Sequence, residues 1–258
     1  MTYRDILVVI DGSPDTTART DLAVALARQY DAHIIGMDVT TASAFEGRWR
    51  EQAERVQRAF EESLVRSAVK GEYRTPSGTH GGAERFGARY ADLVIAPQGG
   101  SAPAELLPSE VPDSILISCG VPMLIVPAGW QLQPVGESVV IGWNASREAT
   151  RAVRDALPIL QRAQSVTLIS YAEGPLGKDS AEQMREHLSR HDVKVETSIW
   201  PEVAQMGPVD ALFASLDRTN ADLIVAGAYG HSRWMEGLFG GATEELLREP
   251  VLPVLMSH

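Results

Sequence analysis

The chain of 258 residues contains one cysteine, Cys119, only three lysines (Lys70, Lys178 and Lys194), and few aromatics, 6% of the total. A single cysteine excludes a disulfide framework or a thiolate zinc site within one chain. Cys119 follows an apolar stretch and reads as a small buried hydrophobe. Long apolar runs are missing as well. None approaches the ~18 residues that span a bilayer, and Ile6–Ile10, closed off by Asp11, is too short for the core of a signal peptide. Positive charge is scarce: 23 Lys+Arg stand against 34 Asp+Glu, a net charge of −11. That balance argues against non-specific binding to nucleic acid or to an anionic membrane. With 44% hydrophobic residues, the composition is that of a globular protein, and the expectation is a soluble, cytoplasmic one.

What the chain does have is a repeat of itself. Asp5-Ile-Leu-Val-Val-Ile-Asp11-Gly-Ser13 is answered by Ser138-Val-Val-Ile-Gly-Trp-Asn144-Ala-Ser146, offset 133. Ala91-Asp-Leu-Val-Ile-Ala96 is answered by Ala221-Asp-Leu-Ile-Val-Ala226, and Val121-Pro-Met-Leu-Ile-Val126 by Leu252-Pro-Val-Leu-Met-Ser257, offsets 130 and 131. The charge divides evenly, with 12 basic and 17 acidic residues in 1–130 against 11 and 17 in 131–258. Two similar domains follow, 1–130 and 136–258, joined through the Pro/Gly-bearing stretch 127–136.

Within each half, short apolar runs alternate with helical patterns, which reads as a parallel α/β sheet. Strands are expected near 5–10, 32–39, 71–75, 92–96 and 122–126, then near 138–143, 165–171, 193–200, 222–226 and 252–257. The first helix opens on Ser13-Pro14-Asp15, a capping hydroxyl, a proline at the first helical position and an acid favoured by the dipole. Its Leu22, Ala23, Leu26 and Ala27 share one face. Residues 48–70 read as a longer amphipathic helix laced with Arg and Glu. In such a fold, ligands sit at the carboxyl ends of the strands.

The loop after the fourth strand of the second half runs Gly227-Ala-Tyr-Gly230-His231-Ser-Arg233, then on to Gly240-Gly241-Ala242-Thr243. Glycines after a strand let backbone N–H groups approach a ligand, and Gly240-Gly241 leads toward a helix whose first turn has unpaired donors. The loop suits a phosphate chain; it also reads as a connection with glycines for its turns. Other signals are weaker. Gly230-His-Ser232-Arg-Trp234 approximates a nucleophile elbow, but Trp234 stands where a small residue is needed. Neither glycine-rich loop holds the lysine of a Walker motif. His187 and His191 could share a helix face toward a metal, without a visible third ligand. Gly78-Thr-His-Gly81-Gly82 reads as a helix entry.

The spacing Gly-x2-Gly-x9-Gly at Gly227, Gly230 and Gly240, after strand four of a repeated five-strand half, resembles the nucleotide-binding loop of the universal stress protein family in its tandem form. The resemblance implies two doubly wound five-stranded parallel-sheet domains of order 3-2-1-4-5, with a bound adenine nucleotide such as ATP, with or without Mg²⁺. It places Asn144 and Tyr171 against the base. Gly227, Gly230, Gly240, Gly241, Ala242 and Thr243 fall on the ribose and phosphates, and His231 and Arg233 are added from their loop position.

The chain departs from the family pattern twice, with Asn144 where Asp is usual and Gly241 where Ser or Thr is usual. The first half keeps the Asp, at Asp11, and has Val39 where Tyr171 stands in the second. Its loop, Ala96-Pro97-Gln-Gly99-Gly100-Ser-Ala-Pro103, lacks the glycine spacing, and its prolines remove donors. That half is expected to be degenerate as a nucleotide site. The implied function is ligand-dependent regulation in a stress response. The alternatives are a slow nucleotide hydrolase, with His231 as the one candidate base, and a structural stress protein with another ligand or none. The resemblance further implies an intramolecular pseudo-dimer through the fifth strands and leaves a homodimer open.

Overall fold

The computed structural model describes residues 2–39, 48–75, 87–98, 116–117, 119–170, 174–198, 208–228, 246 and 250–258. The chain divides into two compact units, Thr2–Leu132 and Gln133–His258. The first contains β1 (Asp5–Ile10), α1 (Thr16–Tyr30), β2 (His33–Asp38), α2 (Arg48–Ser67), β3 (Gly71–Arg74), β4 (Leu93–Pro97) and β5 (Met123–Val126). The second contains β6 (Ser138–Trp143), α3 (Arg147–Asp155, followed by a further turn at Leu157–Leu160), β7 (Ser165–Ser170), α4 (Gly174–Ser189), β8 (Val195–Ser198), α5 (Pro208–Thr219), β9 (Leu223–Gly227) and β10 (Val254–Ser257).

The first unit orders its strands β3-β2-β1-β4-β5 and the second β8-β7-β6-β9-β10. All the neighbouring pairs within each unit are parallel. Both are therefore the doubly wound 3-2-1-4-5 sheet. The central strands are covered on both faces, which is why they read as unbroken apolar runs rather than alternating ones. Ile6–Ile10 of β1 and Val139–Ile141 of β6 are all 0–1% exposed.

The repeat extends to the way the sheets are pinned. Asp92, just before β4, accepts hydrogen bonds from the backbone N–H groups of Arg4 (2.6 Å) and Asp5 (3.0 Å). Asp222, just before β9, accepts from Gly136 (2.7 Å), Glu137 (2.9 Å) and Ser138 (3.2 Å). Each carboxylate thus ties the start of a central strand to its neighbour. Burial nevertheless pushes Asp222 above the ordinary carboxylate range, despite the donors around it.

Leu22, Ala23, Leu26 and Ala27 bury against the sheet as their spacing requires. The start of α1 departs from expectation. The helix begins at Thr16 with Asp15 at its N-cap and no side-chain cap, two residues beyond Ser13, whose hydroxyl donates to Asp11. In the second unit Ser146 does cap, its oxygen accepting from Ala149 N–H at 3.1 Å. The α2 helix ends at Ser67, short of 70. It reaches the sheet at Gly36, where a Cβ would stand 2.6 Å from the Phe60 ring and 2.9 Å from Ile10 Cδ1. Strand β8 begins at Val195 rather than 193, while residues 199–200 and Gly78–Gly82 lie outside the described residues.

Candidate functional site

The carboxyl ends of β1 and β6 carry equivalent residues in very different surroundings. In the first unit, Asp11 is fully buried. Its Oδ1 accepts from Ser13 N–H (3.0 Å), Ser13 Oγ (2.7 Å), Thr16 Oγ1 (2.6 Å) and Arg19 Nη2 (2.5 Å). Arg19 projects from the first turns of α1 and is 1% exposed, so the two charges are sealed together. Burial by itself would raise the Asp11 pKa. The Arg19 guanidinium and the two hydroxyls outweigh it and hold the carboxyl below its ordinary range. Breaking such a buried pair by removing one partner costs about 3–5 kcal/mol. Asp11 is part of the scaffold: its Oδ1 is taken up by these donors, and its Oδ2, without a partner among the described residues, is buried away from any ligand.

In the second unit, the offset of 133 puts Asn144 at the position of Asp11, Ala149 at Thr16 and Ala152 at Arg19. The second unit thus has neither the carboxylate nor its counter-ion. Asn144 is exposed, and among the described residues its side chain makes one hydrogen bond, Oδ1 accepting from Ser146 N–H at 3.1 Å. A carboxamide offers both donors and acceptors, and the Nδ2 donors have no partner among the described residues. Sequence reasoning found Asn144 but missed Arg19, because an arginine on a helix reads as a surface residue until its contact is seen.

Gly227 closes β9, and its need for glycine is sterically explicit. A Cβ there would stand 2.4 Å from Ala149 N and 2.6 Å from the Glu148 carbonyl carbon, so the first turn of α3 presses directly on the start of the loop. This packing is a structural reason for glycine here, separate from the ligand-admitting role expected of it. Glu148 is buried, with Oε1 accepting from Arg147 Nε at 3.1 Å. Ala228 then donates to Ser257 O at 2.9 Å, tying the end of β9 to β10. At the end of β7, the Ser170 hydroxyl is buried without a partner among the described residues, a polar group beside the expected base position that sequence reading did not single out.

Tyr171, Gly230, His231, Arg233, Gly240, Gly241, Ala242 and Thr243 lie outside the described residues, as do Gly99, Gly100 and Pro103 of the first-half loop. Val39 is buried and its N–H donates to Ile10 O at 2.9 Å. Pro97 closes β4 as a buried strand residue. Cys119 is buried, its Sγ close to the backbone of Val121. His187 and His191 stack edge to face, ring centroids 4.7 Å apart. Burial, His191, Arg154 and Arg190 all lower the His187 pKa. Among the described residues, no third His, Cys, Asp or Glu joins them.

Solved structures share this architecture over nearly the whole chain. A universal stress protein from Archaeoglobus fulgidus DSM 4304 aligns over 98% of this chain and 95% of its own, with a TM-score of 0.71 and 16% identity. A protein of unknown function from Pseudomonas aeruginosa PAO1 aligns over 99% and 92%, with a TM-score of 0.60 and 16% identity. The cytoplasmic domain of a prokaryotic cation chloride cotransporter aligns over 98% and 95%, at a TM-score of 0.52 and 10% identity. No family model and no curated protein matches the sequence. Among the described residues, no helix is long and apolar enough to cross a membrane.

Proposed function

We propose that this chain, which has the fold of a tandem universal stress protein, binds one adenine nucleotide in its second unit and acts through ligand-dependent regulation. The observation that carries the reading is the contrast between the two strand ends. Asp11 is sealed in, its Oδ1 taken up by Arg19, Ser13 and Thr16 and its Oδ2 buried, whereas Asn144 is exposed and Ala152 supplies no competing charge. A free carboxamide matches the mixed donor and acceptor edge of adenine better than a neutralised carboxylate does.

In this reading the base lies against Asn144 and Tyr171. Ribose and phosphates follow Gly227, Gly230, Gly240, Gly241, Ala242 and Thr243, and His231 and Arg233 supply donors or positive charge. Nucleotide occupancy would set the conformation of the long loop and thereby the choice of partner. Calorimetric titration with ATP, ADP and AMP, each with and without Mg²⁺, tests it. The expected stoichiometry is near one per chain. Two equivalent sites, or neither heat nor thermal shift with any of the three, overturns the proposal.

A further inference from the structure

The two units differ in a second place, on the sheet face covered by the helices that follow the first two strands. Ile10 of β1 and Trp143 of β6 occupy the same register, beside Asp38 and Ser170 respectively. In the second unit the indole of Trp143 is 5% exposed and reaches α4, its Nε1 donating to Ser180 Oγ at 2.8 Å. In the first unit the smaller Ile10 leaves a cleft of about 230 Å³ between α1 and α2. Its floor is apolar, made by Ile10 and Phe60 with Val56 and Ala59 beside them.

The polar lining of this cleft has one chemical bias. Ser13 and Thr16 donate their hydroxyl protons to Asp11, and Thr20 donates to Thr16 O at 2.9 Å. Three hydroxyl oxygens that line the cleft therefore present lone pairs and no proton, one of Thr16's being shared with Arg19 Nη2 at 3.3 Å. Asp21 and Glu62 add carboxylates on the two helices. Neither forms an ion pair among the described residues, and Arg66 is the single cation of the lining. Ser63, 5% exposed, adds a further hydroxyl to the lining. Thr17 and Ser63 bring hydroxyls that can donate or accept, the two carboxylates keep acceptors in the majority, and formal charge in the lining sums to minus one.

We propose that this cleft is a binding site for a small amphipathic primary ammonium compound, an aryl- or branched alkylammonium. The ammonium carries three donors and no acceptor, the complement of the lining, and its apolar body covers Val56 and Ala59 above the buried Ile10 and Phe60. The volume is that of about eight water molecules at the roughly 30 Å³ each takes in the liquid, which sets the ligand at on the order of ten non-hydrogen atoms. A ligand of that size, on an open site, is expected to bind with a Kd of about 0.1–1 mM. The site is independent of the nucleotide reading: it lies in the other unit and uses none of its residues.

The test uses the full chain and three probes followed by amide chemical shifts. Phenethylammonium should give saturable shifts confined to α1, α2 and the end of β1. Phenylacetate, with the same body and the opposite charge, and ethylammonium, with the charge and little body, should bind at least tenfold more weakly. Asp21→Asn and Glu62→Gln alter exposed or half-exposed side chains and should each weaken phenethylammonium about threefold to tenfold. Ile10→Trp, which imports the plug of the second unit, should abolish binding. Saturating ATP should leave the affinity unchanged. Equal binding of phenylacetate, unsaturable shifts up to 10-fold above the upper expected Kd, or wild-type affinity in both carboxamide variants would overturn the proposal, whether or not Ile10→Trp folds.

Discussion

Arg19 and Ala152 occupy the same position in the two units, and the strand-end residue each faces changes with it from carboxylate to carboxamide. Arg19 meets Asp11 at 2.5 Å, with side chains 2% and 0% exposed. Ala152 is fully buried and carries no charge. Each combination is self-consistent, since an aspartate at position 144 would lack its counter-ion and an arginine at 152 would have no carboxylate to bury with. The pair therefore explains at once why the first strand end is closed and why the second is open.

Arg19→Ala should destabilise the first unit by about 3–5 kcal/mol, the range for a buried pair broken on one side. That is a large part of the ~5–15 kcal/mol that holds a domain together. The double variant Asp11→Asn with Arg19→Ala recreates the arrangement of the second unit and should recover most of the loss. Denaturant unfolding of the three proteins checks this. A double variant no more stable than Arg19→Ala would show that the closed strand end depends on something other than the pair.

The same pair sets a pH dependence. Asp11 is held below its ordinary value in the folded state. Its contribution is therefore fully present above the unfolded value and is lost as pH falls through the lower, folded one. The stability gap between wild type and Asp11→Asn should be constant from neutral pH to about 5 and narrow only below the ordinary carboxylate range, near 3.8. Unfolding curves between pH 7 and pH 2.5 measure it. A gap that narrowed already between pH 7 and 5 would place the Asp11 carboxyl above its ordinary value.

Much of this architecture was legible in the sequence. The matched segments at Asp5–Ser13 and Ser138–Ser146 located the central strands, and Ala91–Ala96 with Ala221–Ala226 located their neighbours, because doubly covered parallel strands leave an unbroken apolar record. The fate of the two serines was not legible. Ser13 and Ser146 stand in the same motif, yet one serves Asp11 and the other caps α3, a choice set by whether a buried acceptor lies two residues back. The cleft was hidden for a similar reason. Ile10 and Trp143 align in the sequence, but a difference in side-chain volume becomes a cavity only once α2 has been positioned by Phe60 on Gly36.

The two serines give a direct comparison. Ser146→Ala removes a cap and should cost about 1 kcal/mol. Addition of a nucleotide should not restore it. Ser13→Ala removes one of several donors to Asp11 and should act with Arg19→Ala non-additively, since both touch the same carboxylate. A double-mutant cycle in which the two losses simply sum would contradict the shared network.

Two glycines separate folding from binding in the second unit. A Cβ at Gly227 would meet the backbone of α3 at 2.4 Å, and backbone cannot rotate aside as a side chain does. Gly227→Ala should therefore destabilise the unit by roughly 1–3 kcal/mol, in the range for overpacking, with or without nucleotide. Gly230 has a different role in the proposed site, where its backbone N–H approaches the phosphates. A side chain there intrudes on the ligand, while the strain of an L-residue in left-handed geometry is only about 1–2 kcal/mol. Gly230→Val should stay folded by circular dichroism and lose nucleotide binding, and Gly240→Val should behave alike. Gly99→Val, the matching change in the first half, should leave nucleotide affinity within about twofold, under roughly 0.5 kcal/mol. Titration of the folded variants decides the matter: wild-type affinity in Gly230→Val would remove the loop from the site, and with it the reading that the open strand end at Asn144 exists to receive a nucleotide.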